Sequence, residues 1–115
     1  MICEPIFESD REFLLESYVS SHGLLLFRAN RTNELPTMID VLFRDVRAMD
    51  VRAWTVGLRI ELADRNLLKE YPSNPAEMIE TEEILVYRLS GLGWRGFVVA
   101  CRVDSSEGVE TKKHS

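Results

Sequence analysis

Apolar and polar residues alternate without interruption from Trp54 to Leu62, and this is the feature that most restricts the fold. Strict alternation predicts a β-strand with one face in the core and the other face in solvent. The residues that the pattern assigns to the core face are Trp54, Val56, Leu58, Ile60 and Leu62. Gly57 falls on the outer face, where it indicates a β-bulge or the close approach of another chain.

A β-hairpin is predicted near the start of the chain, where the apolar stretches Phe13–Val19 and Leu24–Ala29 flank a Ser-Ser-His-Gly turn. Gly23 can adopt the positive φ that such a turn requires. Ser9–Glu12 also fits a helix capping box, which leaves a helix open as the alternative for the first stretch. The second stretch is apolar on both faces, so we expect a strand that is central or covered on both sides. Residues 1–10 are expected to be a lead-in to the domain.

A second hairpin is predicted towards the end of the chain. Alternating apolar residues over 85–89 and over 97–103 predict its two arms, and three glycines within 91–96 supply the connection. The polar residues 105–115 are expected to form a disordered tail. Residues 1–104 are therefore expected to form a single globular domain.

The stretch Ile39–Asp50 fits two different structures and selects between two fold classes. Its apolar residues at helical spacing favour a helix between two strands, which would give a βαβ unit with a parallel sheet. The alternation over Ile39–Phe43 favours a strand, and the break in its phase then requires a bulge at Arg44-Asp45. Because the flanking segments are strand-like and valine is a poor helix former, we prefer the strand.

These segments together predict a mainly β fold of the α+β type, an antiparallel meander or half-barrel of about six strands. One or two short helices are expected around 64–80, the first capped by Asp64 and the second by Asn74. Asn30–Thr37 is expected to be a loop because Asn, Thr and Pro cluster there. An α/β fold with a βαβ unit is the alternative if 38–50 is a helix.

The size and charge of the chain restrict its class. At 115 residues, 45% hydrophobic and 29% charged, it has the length and composition of one globular domain. A net charge of −5 repels phosphate backbones, so neither nucleic acid nor an anionic membrane is expected as a partner. There is no signal-peptide pattern, no apolar run near the roughly 18 residues of a membrane span, and no cysteine framework for disulfides. These observations predict a cytoplasmic protein with reduced thiols.

No catalytic or metal-binding constellation is visible in the sequence. The cysteines Cys3 and Cys101 and the histidines His22 and His114 do not have zinc-ligand spacing, so neither a metal nor a cofactor is expected. Cys101 falls on the apolar phase of its strand, where a cysteine behaves as a small hydrophobic residue. The glutamates within 70–83 predict a solvated acidic face rather than a calcium-binding loop.

Trp94 and Arg95 are the first candidates for a binding site. They lie at the predicted tip of the second hairpin, and Trp and Arg are residue types that dominate interface hot spots. The alternative is that Trp94 folds back onto the core.

A set of arginines on different predicted strands forms the second candidate. If those strands are neighbours, the guanidinium groups would share one sheet face and attract an acidic partner or a carboxylate ligand. The alternative is that they form cross-strand pairs with Glu61 and Asp104. The arginines concerned are Arg28, Arg59, Arg88 and Arg102.

These features predict a small, soluble, non-catalytic domain that binds another protein, as an inhibitor, an immunity-type protein or an accessory protein does, or that binds a second copy of itself. A first alternative is a small-ligand carrier whose pocket would contain Tyr87 or Arg28 as its polar group. A second alternative is a small enzyme that uses His22 with a carboxylate nearby. The candidates for that carboxylate are Glu16, Asp40 and Asp45.

Overall fold

The structure, a computed structural model, describes residues 5–70 and 83–108. A 3-10 helix spans Arg65–Glu70. The strands are β1 (Phe7–Val19), β2 (Leu24–Ala29), β3 (Met38–Arg44), β4 (Ala48–Asp50), β5 (Trp54–Ala63), β6 (Leu85–Gly91), β7 (Trp94–Ala100) and β8 (Arg102–Gly108).

The described strands form one antiparallel sheet, in the order β4-β7-β6-β5-β1-β2-β3-β8. The prediction of a mainly β, antiparallel fold is confirmed, and the βαβ alternative is wrong because 38–44 and 48–50 are strands. The first hairpin is confirmed as β1 and β2, and the second as β6 and β7. The strand Leu24–Ala29 is central as expected, since it lies between β1 and β3.

Ile39–Asp50 is a strand with a bulge at the predicted place. Asp45 has a φ of 59°, which is the left-handed region, and it separates β3 from β4. Arg44 pairs with Arg102 and Ala48 pairs with Val99. The chain thus advances four residues on this strand, from 44 to 48, but only three on the opposite strand, from 102 to 99. The strand therefore contains one extra residue at the bend, as a β-bulge does.

Two bent strands roll the sheet up. The first continues from β3 into β4, and the second continues from β7 through Cys101 into β8. β3 pairs with β8 and β4 pairs with β7, although these pairs stand at opposite ends of the strand order. The two ends of the sheet are thus parts of the same two chain segments, which brings them together. Eight strands arise where about six were predicted because each bent strand is divided at its bend.

The core fills the inside of the roll. Phe13, Phe27 and Phe43 are fully buried there, and the Phe27 and Phe43 rings meet edge to face with centroids 6.4 Å apart. Tyr87 packs against Phe43 in the same way at 5.6 Å. Burying one such side chain contributes roughly 2 kcal/mol to stability. The roll is therefore held by its aromatic interior as well as by backbone pairing.

A smaller apolar cluster covers the outer face of β6 and β7. The 3-10 helix supplies Leu67 and Leu68, which pack with residues of those strands such as Val86 and Phe97. The Asp64 carboxylate accepts a hydrogen bond from the Asn66 backbone N–H at 2.8 Å, so its predicted capping role is confirmed. No helix among the described residues has the length and apolar character needed to cross a membrane.

Two boundaries differ from the sequence predictions. The supposed lead-in already contains the first residues of β1, from Phe7 to Asp10, so Ser9–Glu12 caps no helix. Ser105–Gly108 belongs to β8 rather than to a tail, because backbone pairing with β3 holds these polar residues in the sheet. The predicted second helix and residues 109–115 lie outside the described residues.

Candidate binding surface on β1, β2 and β5

Trp54 lies on the outer face of the sheet and not on the core face that the sequence pattern predicted. Trp54 is 53% exposed, whereas Thr55 is 2% exposed and Leu58 and Ile60 are buried on the core side. Gly57 has a φ of 80° and lies opposite an irregularity in β1, so the inward phase changes between Thr55 and Leu58. A register irregularity therefore does lie at the position of Gly57, where a bulge or a close approach was predicted, although the extra residue belongs to β1. The assignment of Trp54 to the core is wrong because the inward phase of β5 changes at this position.

Trp54 belongs to an apolar surface that three segments build together. It lies directly opposite Leu14 of β1, which is 42% exposed, and Leu35 of the 30–37 loop is 44% exposed. The three side chains line one open groove of about 390 Å³ on the outer face of the sheet. We call it the Trp54 groove, and its lining includes Asp10, Glu12, Leu14, Arg28, Leu35 and Trp54.

Arg11 holds the loop that carries Leu35. Its guanidinium donates to the backbone carbonyls of Asn30 at 2.9 Å and Thr37 at 2.7 Å, at the two ends of the loop. Inside the loop, Leu35 N–H donates to Thr32 Oγ1 at 3.0 Å and Thr32 N–H donates back to the Leu35 carbonyl at 2.8 Å. Leu35 is therefore fixed by hydrogen bonds, and the loop wall of the groove is preorganised.

Arg28 stands at the edge of the groove beside Leu14. Its Nε and one terminal nitrogen donate to the two oxygens of Asp40 at 2.7 and 3.2 Å, in a bidentate pair that is about one-third exposed. These hydrogen bonds raise the pKa of Arg28 against the opposing effect of burial. On the opposite side, the Trp54 indole N–H donates to Glu12 Oε2 at 3.2 Å, which orients the ring.

The predicted stripe of arginines does not form across β2, β5 and β8. β1 separates β5 from β2, and β3 separates β2 from β8. Arg59 is bound by Glu61 at 2.7 Å and by Glu8 at 3.2 Å. Of the arginines in the set, Arg59 and Arg88 do come together on neighbouring strands, since Glu61 also lies 3.8 Å from Arg88.

Arg102 lies at the other end of the sheet order. Its Nε is 3.1 Å from Asp104, which Arg44 also approaches at 3.0 Å. The hydrogen bond from Arg44 and the charge of Arg102 lower the pKa of Asp104. Cross-strand pairing within the predicted set is thus confirmed for Arg88 with Glu61. Arg59 and Arg102 pair along their own strands instead, and the cross-strand partner of Asp104 is Arg44, which lies outside the set.

Trp94 folds back onto the core, as the alternative prediction had it. Its indole N–H donates to the buried Thr55 Oγ1 at 2.6 Å, and Thr55 donates in turn to the Gly57 carbonyl at 2.8 Å. Gly91 passes so close that a Cβ there would overlap the Thr55 hydroxyl. Arg95 is exposed next to it. A binding role for Trp94 and Arg95 stays a prediction, with the Trp94 ring already engaged inside the domain.

A second open cleft, of about 830 Å³, lies on the other side of Gly57. Leu92, 77% exposed at the β6–β7 turn, lines it together with Glu8 and Arg59. Arg59 is already held by Glu8 and Glu61, and the remaining charged lining residue, Asp10, also lines the Trp54 groove. The Trp54 groove has three exposed large apolar side chains and is the stronger candidate.

His22 lies at the exposed turn between β1 and β2. Its Nδ1 is 2.9 Å from the hydroxyl of its neighbour Ser21. Two of the proposed carboxylate partners are held elsewhere, Asp40 by Arg28 and Asp45 by Arg47. Among residues 5–70 and 83–108, no group of three metal-binding side chains comes together.

The interior of the roll contains the inward polar group that a small-ligand carrier would use. Tyr87 is 3% exposed, and its burial raises the pKa of the phenol. Arg28, the other residue considered for that pocket, lines the Trp54 groove on the outer face instead. The ring of Phe43 packs against Tyr87 there, within the same apolar cluster.

Comparisons of the chain with family models, with curated proteins and with solved structures gave no match. The chemistry of the groove is therefore inferred from its own residues. Trp54 is the candidate binding residue that the sequence pattern missed. Gly57 was the available signal, because a bulge inside an alternating run exchanges the faces of the residues on either side.

Proposed function

We propose that this protein is a non-catalytic binding domain that recognises another protein through the Trp54 groove. The observation that carries the proposal is the exposure of Trp54, at 53%, beside Leu14 and Leu35 around one groove. A large aromatic side chain in water forgoes the free energy of its burial, and a partner surface would recover it. Trp is also the residue type most enriched among interface hot spots.

The rigidity of the groove supports the same function. Leu14 and Trp54 lie on paired strands, and Arg11 fixes the loop that carries Leu35. Binding to such a surface orders few additional side chains, so less of the interaction free energy is lost as conformational entropy. A domain of this kind acts by occupying a partner's surface, as an inhibitor, an immunity-type protein or an accessory protein does.

The composition supports a protein partner rather than nucleic acid or an anionic membrane. The chain carries a net charge of −5, and its two cysteines fit a reducing compartment, which supports a cytoplasmic location as part of the proposal. A second copy of the chain would also be a protein partner, and the experiment below distinguishes it from a different protein.

Affinity capture from the native cell extract, with the full-length chain as bait, tests the proposal. The baits are the wild type, Trp54→Ser, Leu14→Ser and the control Leu62→Ser. Leu62 lies on the same strand as Trp54 and is 50% exposed, but it is outside the groove. Each captured protein is then purified and titrated calorimetrically, and light scattering of the bait alone detects self-association.

A partner that uses the groove binds the wild type and Leu62→Ser equally. The Trp54→Ser substitution weakens the affinity for that partner by at least about 30-fold, the effect of losing one hot-spot residue. A self-associating chain would show the same pattern by light scattering. Partners that bind Trp54→Ser and Leu14→Ser as tightly as the wild type would contradict the proposal.

A further inference from the structure

We infer that the partner inserts a lysine or arginine side chain, flanked by aliphatic residues, into the Trp54 groove. The inference rests on the proposed function and specifies the chemistry of its partner. It follows from a comparison of the charged groups in the groove: some are already bound within the domain, and others remain available to a partner.

The cationic groups that line the groove are already engaged. Arg28 holds both oxygens of Asp40, and Arg11 donates to Thr37 and to the Asn30 carbonyl. An acidic partner would have to compete with these contacts. Arg52, which is two residues before Trp54, is exposed but does not line the groove.

The anionic groups of the groove keep free acceptor capacity. The Asp10 carboxylate lines the groove and makes no hydrogen bond or ion pair with any of the described residues. Glu12 accepts the Trp54 indole N–H through Oε2, and its other oxygen has no partner among those residues. Glu16 is exposed on β1 outside the lining, and its charge adds to the effect of the Asp40 hydrogen bond in raising the pKa of Arg28. The groove therefore offers acceptors and negative charge to an incoming group.

The apolar side chains of the groove suit the remainder of a basic side chain. The face of a Trp ring attracts a cation, and Trp is the strongest of the aromatic residues in this interaction. Leu14 and Leu35 supply surface for the methylene stem of lysine or arginine, while its charged end reaches the acceptors. An acidic side chain in the same place would face Glu12 and Asp10 and would be repelled.

Selection from a random dodecapeptide display library on the immobilised full-length chain tests this inference. Peptides that also bind Trp54→Ser are removed, so the remaining peptides depend on the groove. We expect these to be enriched in Lys or Arg next to Leu, Ile or Met, and depleted of Asp and Glu.

The enriched peptide with the highest affinity is then titrated against Glu12→Gln and the control Glu70→Gln. The first substitution keeps a side-chain oxygen for the Trp54 indole while removing the charge, and Glu70 is exposed at the end of the 3-10 helix, away from the groove. We expect Glu12→Gln to weaken binding by about three- to fivefold, the usual range for a partly exposed ion pair, and Glu70→Gln to leave it unchanged. Added salt should weaken the wild-type complex in the same direction.

Each outcome is decisive. Trp54-dependent peptides that are neutral or acidic, or that bind Glu12→Gln as tightly as the wild type, would overturn the basic-partner inference and leave the groove as a docking surface. A selection that yields no Trp54-dependent peptide would overturn both the inference and the docking surface.

Discussion

Thr55 shows how one side chain settles the arrangement around Gly57. It lies on the polar phase of the alternating run, yet it is the residue that turns inward. There it accepts the Trp94 indole N–H and donates to the Gly57 carbonyl, which satisfies polar groups that would otherwise be buried unpaired. The change of phase that turns Thr55 inward also leaves the neighbouring Trp54 exposed. The exposure of Trp54 and the hydrogen bond of Trp94 to Thr55 therefore have the same local cause.

Replacing Thr55 by valine should therefore destabilise the domain more than replacing it by serine. Valine keeps the shape but removes both hydrogen bonds, and we expect a loss of about 2–3 kcal/mol in the free energy of unfolding. Serine keeps the hydroxyl and loses one methyl group, at about 1 kcal/mol. Denaturant unfolding measures both, and an equal or larger loss for serine would contradict the role of the hydroxyl.

The buried phenol of Tyr87 should make the domain less stable at strongly alkaline pH. Burial raises the pKa of its phenol above the ordinary value of 10.0, so above that pH the unfolded chain releases the proton more readily than the folded one. The contribution is complete below pH 10.0 and falls as the pH rises towards the folded-state pKa. The Tyr87→Phe variant has no phenol to ionise, so its stability should not fall in this way. Unfolding midpoints of both proteins between about pH 8 and pH 11 measure it, and parallel curves would show that the phenol does not titrate in this way.

At the scale of elements, the sequence predicts most strands and misplaces several of their limits. Alternation identified the hairpins and β5, because period-two patterns report directly on burial. The same logic identified the bulge in Ile39–Asp50, since an extra residue is what shifts the phase of alternation within a strand. It failed for β8, where pairing with β3 is made by the backbone and leaves polar side chains in solvent. Trp54 was misplaced because the effect of Gly57 on the strand faces depends on the extra residue in β1.

The bulge between β3 and β4 makes a specific demand on residue 45. Asp45 has a φ of 59°, which glycine adopts freely and a β-branched residue avoids. We expect Asp45→Gly to be nearly neutral, because only an exposed ion pair with Arg47 is lost. Asp45→Val should cost about 2 kcal/mol more than Asp45→Gly. Chemical denaturation compares them, and equal stabilities would mean that the backbone at 45 carries no such constraint.

At the scale of the whole molecule, the roll depends on the two bent strands that join its ends. Along the first bent strand, β3 pairs with β8 and β4 pairs with β7. The bend is also tied to the first hairpin, since Val46 N–H donates to the Gly23 carbonyl at 2.9 Å. The strands that carry the Trp54 groove, β1, β2 and β5, lie in the middle of the strand order, between these joined ends.

Truncation of the chain tests the contribution of β8 to that closure. A chain that ends at Asp104 loses the β8 partners of Met38, Ile39, Asp40 and Val41, whereas a chain that ends at Gly108 keeps them. We expect the shorter chain to have a Tm lower by about 5 °C or more than the longer one. Differential scanning calorimetry measures both. Equal values for the two truncated chains would show that Ser105–Gly108 contributes nothing to the roll.

Binding of a partner protein through the Trp54 groove is tested most directly by NMR mapping of the complex. The partner obtained by capture is titrated into the 15N-labelled full-length chain, and backbone and indole shifts are followed. We predict the largest changes at Trp54, Leu14 and Leu35, with the Trp94 indole unchanged because Thr55 holds it in the core. Changes confined to Trp94 and Arg95, with the signals of the groove unmoved, would contradict binding through the groove.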